Sequence, residues 1–456
     1  MSADAQSQNR MGTAKMLPLI FSMALPAMFS MLVQALYNIV DSYFVSEVSQ
    51  KALAAVSLAF PIQNLLIAFG VGTSVGVTSL ISRRLGQGRY EEACSAASHG
   101  ILLGLATSLA FAVYGGFFTR PFFQMFESDP EIVQMGVEYI SVCCVFSFGS
   151  FVVMMLEKIL QATGNMFWPM IFQLVGALIN ICLDPVFIFG WFGLPAMGVT
   201  GAAIATVGGQ ILSMVFAVVV IVLRPHAIRI SFKGFRPSWE TIKNIYAVGL
   251  PAIVMQAIGT AMTMAMNAIL SGFSTAAYTV FGLYFKLQSF VFMPVFGLTQ
   301  GLLPIMGYNY GAKNKKRLLS ALCQGCGIAL VIMTAGMLGF LLLPDKLLGI
   351  FNASPELLEI GVPALRIICT CFLFAALGIV SSTLFQAVGR GTYSLVVSLM
   401  RQLVVLVPAA WVLAQLTGQV GAVWWAFPVA EIFSLAASLV FYQRLYRREI
   451  QALGAK

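Results

Sequence analysis

The sequence is poor in charged residues and almost devoid of histidine. Only 9% of its 456 residues are Asp, Glu, Lys or Arg, and only two are His. Soluble globular domains carry roughly 25% charged residues, so this chain is not expected to be one. The scarcity of histidine argues against a zinc site. The chain also lacks a G-x-x-x-x-G-K-[ST] phosphate loop, which argues against an ATP-driven pump.

Cysteine gives no sign of catalysis or of a disulfide framework. The eight cysteines lie mostly inside or beside apolar runs, and we expect them to be free, buried thiols. Cys323 and Cys326 have the spacing of a redox or metal pair, but no second pair accompanies them. No catalytic constellation of His, Cys or metal ligands can be assembled. We therefore predict neither an enzyme nor a cofactor.

Long apolar runs dominate what is present. Hydrophobic residues make up 59% of the chain and the mean hydropathy is +0.90. Runs of this length are typical of spanning helices, so the sequence predicts an all-α polytopic membrane protein with 12 transmembrane helices. The predicted spans are 16–44, 53–81, 93–119, 133–156, 166–191, 197–223, 243–270, 278–307, 318–343, 357–383, 393–417 and 421–444.

Basic residues are distributed unevenly across these spans. The tails and the loops on their side hold twenty Lys or Arg residues, whereas the opposite side holds only Lys51, Arg120 and Lys346. By the positive-inside rule both termini are cytoplasmic, and the expected location is the inner (cytoplasmic) membrane of a cell. The asymmetry accounts for the net charge of +9 without nucleic acid. The basic loops suit contact with anionic membrane lipids.

Five motifs recur with their positions in the chain raised by a constant offset of 225. They are Leu25-Pro26-Ala27 with Leu250-Pro251-Ala252, Phe60-x-x-Gln63 with Phe285-x-x-Gln288, Gly72-x-x-x-Gly76 with Gly297-x-x-x-Gly301, Gly86 with Gly311, and Gln161-Ala162-x-Gly164 with Gln386-Ala387-x-Gly389. This internal repeat predicts two six-helix lobes of the same orientation, as in alternating-access transporters. The predicted parts are a tail at 1–15, an N-lobe at 16–224, a linker at 225–242, a C-lobe at 243–444 and a tail at 445–456.

The first span carries a carboxylate, Asp41, among apolar neighbours. Tyr37 and Asn38 lie four and three residues before it, and Gln34 continues the same helix face. An intramembrane acid is costly and is functional by default. Pro26 removes a backbone hydrogen bond in the same span and is predicted to act as a hinge.

A second intramembrane acid, Asp184, follows Asn180 at the same helical spacing. The repeat places Met266 where Asp41 would recur and Ala409 where Asp184 would recur, so the C-lobe lacks both acids. Carboxylate and amide oxygens suit a proton or a hard cation, and a sodium ion bound by Asp41, Asn180 and Asp184 is the only metal considered. The alternative, that the acids are unrelated polar anchors, stays open.

These residues bring a family into view. The sequence resembles the multidrug and toxic compound extrusion (MATE) antiporters in its two repeats and in three motifs besides the Pro26 helix. Those motifs are Arg83-Arg84-Leu85-Gly86-Gln87-Gly88, Leu160-Gln161-Ala162-Thr163-Gly164-Asn165, and Asn180-Ile181-Cys182-Leu183-Asp184-Pro185 with Phe187-Ile188-Phe189-Gly190. The resemblance implies a secondary active antiporter that exports cationic and amphipathic compounds in exchange for protons or sodium by alternating access.

The resemblance also implies site residues. Those that look like the cation site of the DNA-damage-inducible protein F-like subgroup are Tyr37, Asp41, Tyr139, Asn180 and Asp184. That subgroup has a threonine just after the glycine of the sixth span, whereas here Gly201 is followed by Ala202. Thr200 and Thr206 are the candidates to take its place. Because the threonine expected beside Gly201 is missing, Asp41, Asn180 and Asp184 form an incomplete oxygen cage for sodium, and a proton is the favoured coupling ion.

The C-lobe spans contain charges of their own. Glu431 is expected to pair with Arg401 or Lys286, because intramembrane charges usually pair. The alternative is that Glu431 contacts a cationic substrate, and Gln34, Gln288 and Glu431 are the candidates for the substrate cleft. A flippase for lipid-linked sugars is the alternative function. A pyrophosphate-binding lumen would need basic residues that the N-lobe spans lack. We expect a monomer with small drug-like cations as its partners.

Overall fold

A computed structural model of the protein describes residues 10–454, and every regular element in that range is helical. The helices Pro130–Val145 and Phe148–Ala162 meet at a 45° bend and together count as one candidate span, where the sequence predicted a single helix over 133–156. With this pair, the first half has six spans. Its helices are α1 (Met16–Ser46), α2 (Gln50–Gly86), α3 (Tyr90–Phe117), α4 (Thr119–Phe126), α5 (Pro130–Val145), α6 (Phe148–Ala162), α7 (Phe167–Phe189) and α8 (Gly198–Leu223).

The second half also contains six candidate spans, which confirms the predicted total of twelve. Three of its stretches depart from α-helix: a 3₁₀ turn at Cys369–Cys371 and π-helical segments at Met400–Leu406 and Tyr446–Ile450. Its helices are α9 (Trp239–Ser271), α10 (Thr275–Gly311), α11 (Lys315–Leu342), α12 (Pro344–Gly349), α13 (Pro355–Ile368), α14 (Phe372–Ala387), α15 (Gly391–Leu399), α16 (Val407–Thr417), α17 (Val420–Val423) and α18 (Ala426–Leu445).

The repeat extends to the residues that begin the helices. Ser49 and Ser274 each accept a hydrogen bond from the backbone N–H three residues on, which caps α2 and α10. Asp129 and Ser354 cap α5 and α13, and each is followed by a proline at the first helical position. Both pairs occupy equivalent positions of the repeat. Asp129 also pairs with Lys51 at 3.0 Å, and this ammonium group lowers the pKa of the Asp129 carboxyl.

The described chain forms two compact units that divide two of the long helices. The first unit is built chiefly from Phe29–Ile253, and the second from Ala14–Met28 together with the chain from Val254 onward. Helix α1 thus changes unit just after Met28 and helix α9 just after Ile253, at equivalent positions of the repeat. Each change comes two residues after a proline, Pro26 in α1 and Pro251 in α9.

Glycines on α2 and α10 allow α9 and α1 to approach them closely, each pair within one unit. In the first unit, a Cβ on Gly72 would meet the backbone nitrogen of Ile253 at 2.7 Å. In the second unit, a Cβ on Gly297 would meet the Met28 backbone at 2.7 Å. The repeated small residues therefore serve close helix approach, as they do in other membrane helices.

Candidate functional site

The two carboxylates predicted from the sequence come together in the first compact unit. Asp41 lies on α1, and Asp184 and Asn180 lie one turn apart on α7. Asp184 is 0% and Asn180 is 2% exposed. The two carboxylates are close enough to interact electrostatically. Both are therefore part of one site.

A threonine from α8 joins this group. The Asn180 Nδ2 donates to Thr206 Oγ1 at 3.2 Å, and the Tyr37 side chain lies close to the same threonine. The other candidate, Thr200, instead donates to Glu138 at 2.8 Å in an exposed position. Of the two threonines near Gly201, Thr206 is the one that contacts the site.

Four buried oxygens of the site have no hydrogen-bond partner among the described residues. They are Asp41 Oδ1, Asn180 Oδ1 and both carboxylate oxygens of Asp184. A buried polar atom without a partner is costly, and an unpaired buried charge is more so. This arrangement favours a neutralising proton or a hard cation, since every free atom is an oxygen acceptor.

Tyr139 lies beside this group, where two helices hold it. The side chain is 2% exposed, and its hydroxyl accepts a hydrogen bond from Gln63 Nε2 at 2.8 Å. It lies within electrostatic range of Asp41 and Tyr37. Gln63 was not among the site residues predicted from the sequence. Its recurrence as Gln288, a polar residue in an apolar span, is the pattern that could have identified it.

Other predicted site residues lie elsewhere. Gln34 and Asn38 are exposed on α1, and neither side chain makes a hydrogen bond within the described part of the chain. Gln288 and Glu431 belong to the second compact unit, where both line a single cavity. Pro26 lies within α1, which continues through it.

The charge pairing predicted for the second unit is present with Arg401. Arg401 Nη1 lies 3.4 Å from Glu431 Oε1. Lys286 is exposed, and its Nζ lies 5.9 Å from the ring centroid of Phe351. Lys286 is therefore not the partner of Glu431.

A conventional transition-metal site has no counterpart between residues 10 and 454. No cluster of three or more His, Cys, Asp or Glu side chains occurs there. The site in the first unit combines two carboxylates with an amide, a hydroxyl and two phenols. Such a set suits protons or alkali cations better than zinc, which prefers nitrogen and sulfur ligands.

Comparison with known proteins reveals the same repeat. The MatE family model matches residues 26–186 and again residues 251–412. The chain is 25% identical to the multidrug export protein MepA of Staphylococcus aureus (strain bovine RF122 / ET3-1) over 410 residues, which cover 89% of this chain and 88% of MepA. The two matches to the family model begin at Pro26 and Pro251, which are equivalent positions of the repeat.

Solved structures with the same fold cover almost the whole chain. A MOP superfamily transporter from Pyrococcus furiosus, described as having a binding pocket of reverse polarity that suggests a different function, is 26% identical, with a TM-score of 0.90 and 98% coverage of each chain. A MATE structure in the bent conformation is 26% identical, with a TM-score of 0.89 and coverage of 99% of this chain and 98% of that one.

Proposed function

The chain belongs to the MATE family of membrane transporters, and we propose that it exports cationic and amphipathic small molecules in exchange for protons. It is a multi-pass membrane protein of the multidrug efflux class. The asymmetry of its Lys and Arg residues supports cytoplasmic termini and location in the inner membrane.

One observation carries the proposal: Asp41, which is half-buried, and Asp184, which is buried, share a site in which three carboxylate oxygens are buried without a partner among the described residues. These are Asp41 Oδ1 and both oxygens of Asp184. Two interacting negative charges with buried, unpartnered oxygens are costly without compensation. A proton or a cationic compound supplies the compensation, so binding of one opposes binding of the other. That opposition is the thermodynamic requirement of exchange.

The coupling cycle follows from this competition. With both carboxylates ionised, the first unit favours uptake of a cation. Proton binding at Asp41 or Asp184 removes that preference and favours release. We place the accompanying conformational change at Pro26, where α1 lacks one backbone hydrogen bond and passes from one compact unit to the other.

Proton coupling is favoured over sodium coupling by the number of free oxygens. Sodium is expected to need about five or six oxygen ligands, by analogy with other hard cations. The site offers four buried oxygens without a partner among the described residues. The hydroxyl of Thr206 accepts a hydrogen bond from Asn180. A proton needs a single carboxylate oxygen.

A flippase for lipid-linked sugars remains the alternative. Such a protein is expected to hold pyrophosphate with several basic side chains, since oxyanions are bound by Arg and Lys. The site of the first unit presents acids, an amide and hydroxyls. Its chemistry therefore supports a cation or a proton in preference to a phosphate group.

Transport in proteoliposomes tests the proposal. We expect ethidium movement to respond to an imposed proton gradient at zero sodium, and Asp41→Asn and Asp184→Asn each to abolish the response. Each variant replaces a charged acceptor by a neutral one, and a hydrogen bond to a charged group is worth about 1.5–3 kcal/mol. Ethidium affinity should therefore fall roughly 10- to 150-fold. The matched control is Asp345→Asn, which makes the same chemical change at an exposed position.

Three outcomes would contradict parts of this proposal. Normal proton-driven transport in either acid variant, at matched expression, would remove the site assignment. Transport driven by sodium and indifferent to the proton gradient would reverse the choice of ion. Movement of a pyrophosphate-linked lipid, without movement of ethidium, would favour the flippase.

A further inference from the structure

A cavity of about 190 Å³ lies inside the second compact unit. Five aromatic side chains line it: Tyr284, Phe285, Phe292, Phe296 and Phe427. Drug-sized pockets are typically about 300–1,000 Å³, so this one has room for one or two fused rings and not for a large drug. Its walls suit an aromatic ligand, because aromatic pairs stack or meet edge to face.

The polar side of the cavity is an ion pair with one unused oxygen. Arg401 Nη1 lies 3.4 Å from Glu431 Oε1, and both residues line the cavity. Glu431 Oε2 is buried and has no hydrogen-bond partner among residues 10–454. The pair has no net charge. One strong acceptor is therefore available in a largely aromatic, electrically neutral cavity.

Two breaks in helical regularity occur at this cavity. Arg401, Gln402 and Leu406 reach it from the π-helical segment Met400–Leu406. Cys371 reaches it from the 3₁₀ turn Cys369–Cys371. π-helical stretches are frequent at functional sites, and transporter sites are commonly formed where helices are interrupted.

The repeat relates this cavity to the carboxylate site of the first unit. Subtracting 225 converts Gln288 to Gln63 and Glu431 to Thr206. Gln63 bonds Tyr139, and Thr206 bonds Asn180, so both belong to or adjoin the carboxylate site. The two units therefore place side chains of their respective sites at equivalent positions but give them different chemistry.

Electrostatics determines the class of ligand. A cation bound at Glu431 Oε2 would leave one uncompensated positive charge in the cavity, since Arg401 already balances the carboxylate. A ligand that displaced Arg401 would break a partly buried ion pair and leave the guanidinium unpaired, which is unfavourable. A ligand without net charge avoids both costs, and an N–H or O–H group on it satisfies the free oxygen.

We propose that this cavity binds an uncharged aromatic group that donates one N–H or O–H hydrogen bond to Glu431 Oε2. The inference deepens the proposed function and rests on it in one respect, that the ligand is a transported compound or the aromatic end of one. The first unit exchanges charge, and the second recognises the ring. A permanently cationic ring is not retained here.

Equilibrium binding to the purified full-length transporter in nanodiscs, without any gradient, tests this inference. We expect 2-naphthol, which carries an O–H donor, to bind at a single site. 2-Methoxynaphthalene, which lacks the donor, and 1-methylquinolinium, which is a cation of similar shape, should each bind at least tenfold more weakly. These comparisons use the unmodified protein and do not depend on any variant folding.

Variants then locate the donor's partner. Glu431→Gln should weaken 2-naphthol binding about tenfold, because charge-assisted hydrogen bonds are roughly twice as strong as neutral ones. Arg401→Gln leaves the carboxylate unbalanced and should reverse the preference, so that 1-methylquinolinium binds better than 2-naphthol. Glu359→Gln, an exposed acid of the same unit, is the matched control and should change nothing.

The results separate this inference from the proposed function. Equal binding of 2-naphthol and 2-methoxynaphthalene would overturn it, as would wild-type affinity for 2-naphthol in Glu431→Gln or stronger binding of the cation by the unmodified protein. Loss of proton coupling in the Asp41 and Asp184 variants concerns the first unit only. Binding measured without a gradient is independent of the coupling ion.

Discussion

Replacing Thr206 with valine is the sharpest test of how the carboxylate site is built. The change keeps the shape of the side chain and removes its hydroxyl. Asn180 Nδ2 then loses an acceptor at 3.2 Å. Thr200→Val is the matched control, since Thr200 lies six residues earlier on α8 and bonds Glu138 in an exposed position.

The structure sets the size of the effect. Leaving one buried donor without a partner costs about 1–3 kcal/mol. Burying the added methyl group returns about 0.8 kcal/mol. The net loss of folding free energy for Thr206→Val is therefore about 0.2–2.2 kcal/mol. Thr200→Val should stay within about 0.5 kcal/mol, as exposed substitutions usually do.

The same pair of variants distinguishes the coupling ions. If protons are carried, Asp41 and Asp184 do the binding, and Thr206→Val retains a transport response to a proton gradient. If sodium is carried, the site has lost an oxygen close to Asn180, and apparent sodium affinity should fall about tenfold, a change worth about 1.4 kcal/mol. Thermal unfolding in detergent measures the stability change, and flux in proteoliposomes measures the coupling.

Two results would refute this reasoning. Unchanged stability in Thr206→Val would mean that its hydroxyl is not an essential partner of Asn180. A larger effect on transport from Thr200→Val than from Thr206→Val would mean that the wrong threonine has been placed in the site.

Three further predictions concern the helices that carry the site. Pro26→Ala should slow transport while ligand binding persists, because the alanine restores a backbone hydrogen bond and favours a straight helix. Pro251→Ala should slow transport less, because the second half of the chain lacks the two acids. Flux and binding assays measure both variants, and equal defects would indicate a general folding role. Gly297→Ala should lower the free energy of unfolding by about 1–3 kcal/mol in thermal unfolding, because its Cβ would meet helix backbone. Gly339→Ala places its methyl group in open space and should not lower it. Equal stability of the two variants would contradict this packing. The ammonium group of Lys51 lowers the pKa of the Asp129 carboxyl, so the stabilisation of the α5 cap by the Asp129 carboxylate is present at neutral pH and lost as the pH falls through that lowered value. Hydrogen exchange in the first turn of α5, corrected for intrinsic rate, should show this loss, and Asp129→Asn should abolish the pH dependence.

The sequence predicted those features that depend on pattern along the chain. Twelve spans follow from hydropathy, and the repeat follows from motifs at a fixed offset. The approach of Asp41 to Asp184 could be anticipated because both acids are missing from the second half, at Met266 and Ala409. Pairing of Glu431 with Arg401 could be anticipated because an unpaired charge in a membrane is unfavourable.

Other features depend on packing between helices and could not be predicted. The choice of Thr206 over Thr200 depends on which face of α8 meets α7, and two threonines six residues apart are equivalent in composition. The bond from Gln63 to Tyr139 joins positions 76 residues apart. The 45° bend between Pro130–Val145 and Phe148–Ala162 occurs where no proline marks it. In each case a tertiary contact decides, and hydropathy does not record it.

The comparison of the two repeats gives a physical reason for keeping one scaffold and changing its contents. Exchange requires two binding events that oppose or support one another through a shared free energy. The first unit holds Asp41 and Asp184, and a change in its charge state is large in energy because Asp184 is fully buried and buried oxygens of both acids lack partners among the described residues. The second unit places Glu431 at the position equivalent to Thr206 and balances it with Arg401, so its cavity has no net charge to change. On our proposals, ion coupling and recognition of the ring are therefore assigned to different halves, and a substitution that alters ring selectivity at Glu431 should leave the proton response governed by Asp41 and Asp184 intact.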